Sequence, residues 1–379
     1  MNMPPRVLMV AGEASGDLHG AAVVRALRRL APGVEIAGIG GDRMEAEGMR
    51  LVHHMRDLSF MGFVEVVRHL STIRAVERIL LEELDKRRPD VVALIDYPGF
   101  NLRFAGRAKA RAIPVLYYIS PQVWAWNKGR IRTMALRVDR MKVVFPFEVE
   151  LYRKQGIDVE CVGHPLVEHL GTSCSRGEFF QRHALDPSTK LLALFPGSRG
   201  QEIERILPVM ARAAEKLRST RRLQVALGVA SNLGVAGIRA FLPGDVALTL
   251  VENGTHDLMA YADAAIVTSG TATLETGWFG TPMAVVYRTS PLTFFIGRML
   301  VDVPYIGLVN IVAGKKIVPE FVQHDMTQQN LVTVVGRLLD DPAYARAMRL
   351  DLGVIREKLG GPGASERVAR GILDLAGAA

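Results

Sequence analysis

The chain of 379 residues has only two cysteines, Cys161 and Cys174, which form no Cys-x-x-Cys pair and share no metal-ligand spacing with histidines. That excludes a disulfide scaffold, offers no zinc site and suits a reducing compartment. Uninterrupted apolar runs of roughly 18 residues, the length of a membrane-spanning helix, are also missing. The most apolar later segment, Pro291 to Val312, is broken by Arg298, Asp302 and Pro304. The first residues hold one basic side chain, Arg6, and then an apolar strand, without the regions of a signal peptide. No GxxxxGK[ST] occurs, which argues against P-loop phosphoryl transfer. Gly12, Gly16 and Gly20 have the wrong spacing for GxGxxG, and Gly38-Ile-Gly40-Gly41 has Arg43 where the last glycine belongs, so a nicotinamide dehydrogenase is poorly supported. Aromatic residues are 7%, and no basic run is interleaved with them as in a nucleic-acid reader.

Apolar residues make up 49% and charged residues 23%, a globular balance, and the length favours two domains. A net charge of +8 and a pI near 9.6 call for an acidic partner. With nucleic acid set aside, anionic lipid and phosphorylated small molecules remain. Strand-length apolar runs at Val7 to Ala11, Glu35 to Ile39, Val91 to Ile95, Val115 to Ile119, Lys142 to Phe145 and Val159 to Val162 alternate with helical stretches, the first from Leu18 to Leu30. That pattern predicts a parallel sheet covered on both faces, a Rossmann-like α/β domain over 1–166. A turn-rich linker, Leu166 to Lys190, precedes a second series: Leu191 to Phe195, Leu223 to Leu227, Val246 to Leu250, Ala264 to Val267 and Ala284 to Tyr287. This gives a second Rossmann-like domain over 167–345, then helices over 346–379 with Ser365 placed to cap the last.

The chain is organised around Thr268-Ser-Gly-Thr-Ala-Thr-Leu-Glu275, a strand end, a turn of small hydroxyl residues and a helix start. Free backbone N–H groups at Ser269, Gly270 and Thr271 suit a phosphate, and Glu275, one turn in, suits sugar hydroxyls. Phe195-Pro-Gly-Ser-Arg199 repeats the arrangement, with Gly197, Ser198 and an arginine able to fork onto a diphosphate. Ordinary βαβ connections would look the same singly; two in one domain favour a nucleotide. Asp96 ends a buried strand, where it can act as a base or start the next turn, and Asn101 follows closely. Glu13 and Asp17, in the first loop with Ser15 and Gly16, are alternative acids or helix caps. His19 lies near that loop, His164 reads as structural, and Gln122 is placed to line a ligand site.

Ala11-Gly-Glu-Ala-Ser-Gly-Asp17, Met61-Gly-Phe-Val-Glu65, Ile95-Asp-Tyr-Pro-Gly-Phe-Asn-Leu-Arg103, Tyr118-Ile-Ser-Pro-Gln-Val-Trp-Ala-Trp126, Val162-Gly-His-Pro-Leu166, Pro196-Gly-Ser-Arg-Gly200 and Ser269-Gly-Thr-Ala-Thr-Leu-Glu275 together resemble, in order, the motifs of the lipid-A-disaccharide synthase family. Gly99 and Val309 depart from its pattern. The resemblance implies a GT-B fold, two Rossmann-like domains facing a cleft with the last helix returning to the first domain. It implies an inverting, metal-free and cofactor-free transfer from UDP-2,3-diacylglucosamine to 2,3-diacylglucosamine 1-phosphate, giving a β-1,6-linked disaccharide and UDP. Asp96, Arg199 and Glu275 would be catalytic, and Ser15, Gly16, Asp17, Asn101, Gln122, Gly197, Ser198, Ser269, Gly270, Thr271 and Asn310 would bind substrate. The enzyme would sit on the anionic inner face of the inner membrane of a Gram-negative cell, through Phe60 to Val67, nearby cations and Pro291 to Tyr305. A homodimer is compatible with this. A UDP-sugar epimerase of the same architecture and a non-catalytic nucleotide-sugar binder are the competing readings.

Overall fold

The computed structural model describes residues 4–58, 69–126, 129–230, 233–244, 246–301 and 303–377. The chain forms two compact units, one from residues 1–168 and 359–379, the other from 169–358.

In the first unit, β1 (Arg6–Ala11), α1 (Ala14–Leu30), β2 (Glu35–Gly40), α2 (Asp42–Ala46), β3 (Arg50–His54), α3 (Leu70–Arg87), β4 (Val91–Ile95), α4 (Pro98–Lys109), β5 (Val115–Tyr118), α5 (Arg130–Arg137), β6 (Arg140–Val143), α6 (Pro146–Arg153) and β7 (Asp158–Cys161) follow one another. The sheet is parallel, in the order β3-β2-β1-β4-β5-β6-β7. Its central strands are apolar on both faces, and Val7 to Ala11 and Val91 to Ile95 are buried throughout. The strand order reverses between β1 and β4, the position at whose carboxyl ends such sheets bind ligands.

The second unit runs α7 (Arg176–Arg182), β8 (Lys190–Phe195), α8 (Gly200–Arg218), β9 (Leu223–Gly228), α9 (Gly234–Arg239), β10 (Thr249–Val251), α10 (Thr255–Tyr261), β11 (Ala264–Thr268), α11 (Thr271–Phe279), β12 (Met283–Tyr287), α12 (Pro291–Leu300), α13 (Leu308–Ala313), β13 (Glu320–Val322), α14 (Gln328–Asp340) and α15 (Pro342–Leu359). Its sheet order, β10-β9-β8-β11-β12-β13, reverses between β8 and β11. Among the described residues no helix is long and apolar enough to cross a membrane.

Several local expectations shift. Helix α1 begins at Ala14, so the small-residue loop after β1 is mostly its first turn. Strand β6 ends at Val143 rather than Phe145, because Phe145 is the N-cap of α6 and Pro146 its first residue. Strands β3 and β13, short and only half-buried, were invisible as apolar runs. The presumed linker holds α7, with Ser175 and Glu178 forming a capping box.

The last helix, α16 (Ala364–Leu375), belongs to the first unit and packs on α1. Ser365 does not cap it; Gly363 does. Ser365 instead donates from its backbone N–H and its hydroxyl to the Glu168 carboxylate, at 2.9 and 2.7 Å. Arg367 donates twice to the Val162 carbonyl, at 3.0 and 2.8 Å. A hydroxyl bonded to a carboxylate in a buried position contributes about 1.5–3 kcal/mol. Ser365→Ala should therefore lower the urea midpoint by that amount of stability and raise hydrogen exchange in α16 before the sheets.

Candidate functional site

In the second unit, the neighbouring strands β8 and β11 both run into glycine turns and then helices. Gly197 has φ +102° and Gly270 φ +147°, conformations that side chains resist. No side chain caps α8 or α11, so both helix N-termini present backbone donors and positive dipole ends; α8 carries Glu202 in its first turn, and α11 has no acid there. A cavity of about 390 Å³ is lined by both turns and by Arg199, Glu202 and Glu275. Arg199 is 67% exposed and 3.3 Å from Glu202. Burial raises the Glu275 carboxyl above the usual carboxylate range. The structure thus brings Gly197, Ser198, Arg199, Ser269, Gly270, Thr271 and Glu275 to one cavity. Gly228 and Thr255 line it too and carried no sequence motif.

In the first unit, Asp96 follows β4 at the strand-order reversal. Asp96 and Tyr97 are both left-handed, with φ +47° and +48°, a strained pair for residues other than glycine. The Asp96 carbonyl accepts from the Asn101 amide at 2.8 Å and from the Tyr117 hydroxyl at 2.6 Å. The Tyr97 hydroxyl donates to the Leu58 carbonyl at 2.8 Å. With the backbone fixed, the Asp96 carboxyl is pushed up to about 6, first by burial and then by the Glu13 carboxylate. Glu13 and Ser15 are exposed at the start of α1, and Gln122 is exposed on the turn after β5.

Four expected ligand groups are spent inside the fold. Asp17 is buried, and its carboxylate accepts from the N–H groups of Gly41, Arg43 and Met44 at 2.7, 3.2 and 3.1 Å, capping α2. Gly16 packs α1 onto β1, where a Cβ would come within 3.2 Å of Ala11. Asn101 is fully buried and holds the end of β4 rather than a ligand. Asn310 is fully buried as well: its oxygen accepts from Ile317 and Val318 N–H at 2.8 and 3.0 Å, and its nitrogen donates to Val318 O and Glu320 at 2.9 and 2.8 Å. Glu320 in turn holds Ile306 and Gly307 N–H at 3.0 and 2.9 Å, and Ser269 donates to the Ile306 carbonyl at 2.8 Å. Asn310 therefore supports the phosphate-type turn from behind. The segment Phe60 to Val67, including Met61 to Glu65, lies outside the described residues.

Sequence reasoning passed over Glu148. It is buried, accepts from Ser120 at 2.6 Å and from Phe145 N–H at 3.0 Å, and burial raises its carboxyl to about 7. The signal was Phe145-Pro-Phe-Glu148, an acid at the third position of a helix opened by proline. His164, beside Phe145, is buried and pushed down to about 3 by burial and then by His19, consistent with a structural role.

Residues 7–350 match a family model described as lipid-A-disaccharide synthetase. The chain is 43% identical over 378 residues to the lipid-A-disaccharide synthase of Geobacter sulfurreducens, covering 99% of this chain and 98% of that one. It belongs to the lipid-A-disaccharide synthetase family. Membership makes it a glycosyltransferase of lipid A biosynthesis. The Myxococcus xanthus synthase is 41% identical over 377 residues, covering 99% of this chain and 98% of that protein. Among solved structures, the chain resembles a UDP-GlcNAc 2-epimerase from Neisseria meningitidis bound to UDP-GlcNAc, with TM-score 0.65, 15% identity and coverage of 97% and 100%. It also resembles MurG from Acinetobacter baumannii, with TM-score 0.60, 13% identity and coverage of 98% and 100%. These likenesses show the fold, two Rossmann-like halves of GT-B type. The epimerase reading is not favoured, because the much stronger sequence likeness is to the synthases.

Losing four side-chain hydrogen bonds and stranding buried N–H groups costs about 3 kcal/mol or more. Asn310→Ala should show that loss in urea unfolding, and UDP binding measured on the folded protein should weaken as the Ser269 turn loosens.

Proposed function

We propose that the protein transfers 2,3-diacylglucosamine from its UDP conjugate to 2,3-diacylglucosamine 1-phosphate. The O6 hydroxyl of the acceptor attacks C1 of the donor, the bond from C1 to the diphosphate breaks with inversion, and UDP leaves. Asp96 takes the hydroxyl proton. A carboxylate near 6 is a workable base at neutral pH, since it is deprotonated yet more basic than an ordinary aspartate. That perturbed, rigidly mounted carboxylate is the observation that carries the proposal.

The negative charge developing on the leaving diphosphate is met by the backbone N–H groups of Gly270 and Thr271, by the two helix N-termini and by Arg199, whereas the Ser269 N–H, expected to join them, is spent on the Val286 carbonyl at 2.9 Å. Ser198 and Gly197 shape the same turn, and Glu275 accepts from sugar hydroxyls. For the acyl chains, α12 offers Phe295 and Met299, 65% and 73% exposed, and the chain's net charge of +8 adds attraction to anionic lipid. The enzyme then works as a peripheral protein on the cytoplasmic face of the inner membrane.

UDP release should require both sugars and yield a disaccharide. Asp96→Asn keeps a side chain that tolerates the left-handed backbone, and should lower kcat by about 10²- to 10⁴-fold. Because the folded carboxyl lies above its ordinary value, the base is lost as pH falls through about 6, and kcat/KM should drop about tenfold per unit below that. UDP release without acceptor, or an Asn variant at full rate, would refute the reaction or the base respectively. Replacing Phe295 and Met299 together by Ser should reduce sedimentation with anionic vesicles while UDP affinity holds.

A further inference from the structure

Helix α5 runs beside α4 in the same direction. Arg137, at the end of α5, donates to the Leu102 carbonyl at 2.9 Å, and Lys109, at the end of α4, lies 2.6 Å from Asp139 just past α5. Arg130, the first residue of α5, lies about 10 Å back along the helix from Arg137. Its turn is therefore level with Pro98, which opens α4 two residues after Asp96. The Tyr117 hydroxyl that holds the Asp96 carbonyl reports the same proximity: burial raises that phenol, and the charge of Arg130 is near enough to oppose the rise.

Arg130 also differs from the other cations of these two helices: among the described residues all but the exposed Arg132 are paired or bonded, and of Arg130 and Arg132 only Arg130 is partly buried and stacked on a ring. Arg103 and Arg107 each come within 3.5 Å of Glu77, Lys109 is paired with Asp139, and Arg137 is spent on a carbonyl. Arg130 is half-buried and has no carboxylate within ion-pair distance among the described residues. Its guanidinium lies 4.6 Å from the ring centroid of Trp126, which is 40% exposed. Stacking on the indole restrains the guanidinium without neutralising it, so its planar fork of donors stays available to an oxyanion.

We propose that Arg130 binds the phosphate of the acceptor sugar and so selects a 1-phosphorylated glucosamine over an unphosphorylated one. The inference rests on the transfer reading above. It fits the chemistry of the acceptor, which carries its nucleophile at O6 and its charge at C1: the base follows β4 and the cation follows the adjacent strand β5. The Arg130 fork grips the phosphate bidentately while Asp96 takes the proton at the other end of the sugar.

The test compares 2,3-diacylglucosamine 1-phosphate with its 1-O-methyl analogue as acceptors, in wild type, Arg130→Met and Arg130→Lys. Arg130→Met keeps an apolar stem against Trp126. It should raise KM for the phosphorylated acceptor roughly 10- to 100-fold, the loss of one charge-assisted fork. The variant should leave the donor KM and the rate with the methyl analogue unchanged, and Arg130→Lys should restore part of the affinity. Equal losses with both acceptors, as a structural role predicts, would overturn the assignment, as would no loss at all. Calorimetric binding of each acceptor without donor, in detergent, separates the two readings. Arg130-dependent binding of the phosphorylated acceptor in a protein that releases no UDP would uphold the phosphate site and refute the transfer. Normal transfer with binding indifferent to Arg130 would do the reverse.

Discussion

Two consecutive non-glycine residues in the left-handed region, Asp96 and Tyr97, are the constraint on which the first unit's chemistry depends. Each such residue costs on the order of 1–3 kcal/mol, so the conformation persists only where the surroundings over-determine it. Here the Asp96 carbonyl is gripped by Asn101 and Tyr117, its N–H donates to the Tyr118 carbonyl at 2.9 Å, and Tyr97 is tied to Leu58. Buried hydrogen bonds of about 1 kcal/mol each are enough to offset that strain. The return is a carboxyl turned off the strand end into a poorly solvated position, raised by burial and by Glu13 and partly held down by the Tyr97 N–H.

In the proposed reaction the second unit meets the opposite demand, holding negative charge instead of supplying it. An uncapped helix N-terminus contributes about 0.3–1 kcal/mol to a nearby anion, and two of them open on one cavity. Arg199 supplies the larger share. Its pair with Glu202 is solvent-exposed and worth about 0–1 kcal/mol, whereas a charge-assisted contact to an enclosed anion is worth about 1.5–3. On those magnitudes, in the proposed transfer the guanidinium would leave Glu202 for the diphosphate, and Glu202, already on the cavity wall, would cost little to abandon.

Much of the fold was legible because a doubly wound parallel sheet writes itself as continuous apolar runs. Central strands such as Val91 to Ile95 are buried on both faces and appeared with their full bounds. Two edge strands, β3 and β13, escaped for the same reason: β3 is mostly half-buried, and Arg50-Leu-Val-His-His54 gives neither a run nor an alternation. The two glycine turns of the nucleotide-type cavity were legible as well, since small residues between a buried strand and a helix have few other uses.

The polar residues were harder to sort, and the failures share a cause. Asp17, Asn101 and Asn310 stand near the starts of helices as Glu275 does, and Asp96 just before one, with the same kinds of polar side chain. What separates them is which oxygens and nitrogens the backbone already occupies. The donors that consume Asp17 are 24 to 27 residues away along the chain, and Asn101 reaches back 91 residues to the Val10 carbonyl. No local pattern encodes such partners. Asp96 and Glu275 keep free carboxylate capacity in partly desolvated positions, and burial is the leading cause of both shifts. Arg130 extends the criterion to cations, since it was one of 47 basic residues in the sequence and stands out only once Glu77 and Asp139 are seen paired with other cations while its own guanidinium, partly buried, stacks on Trp126.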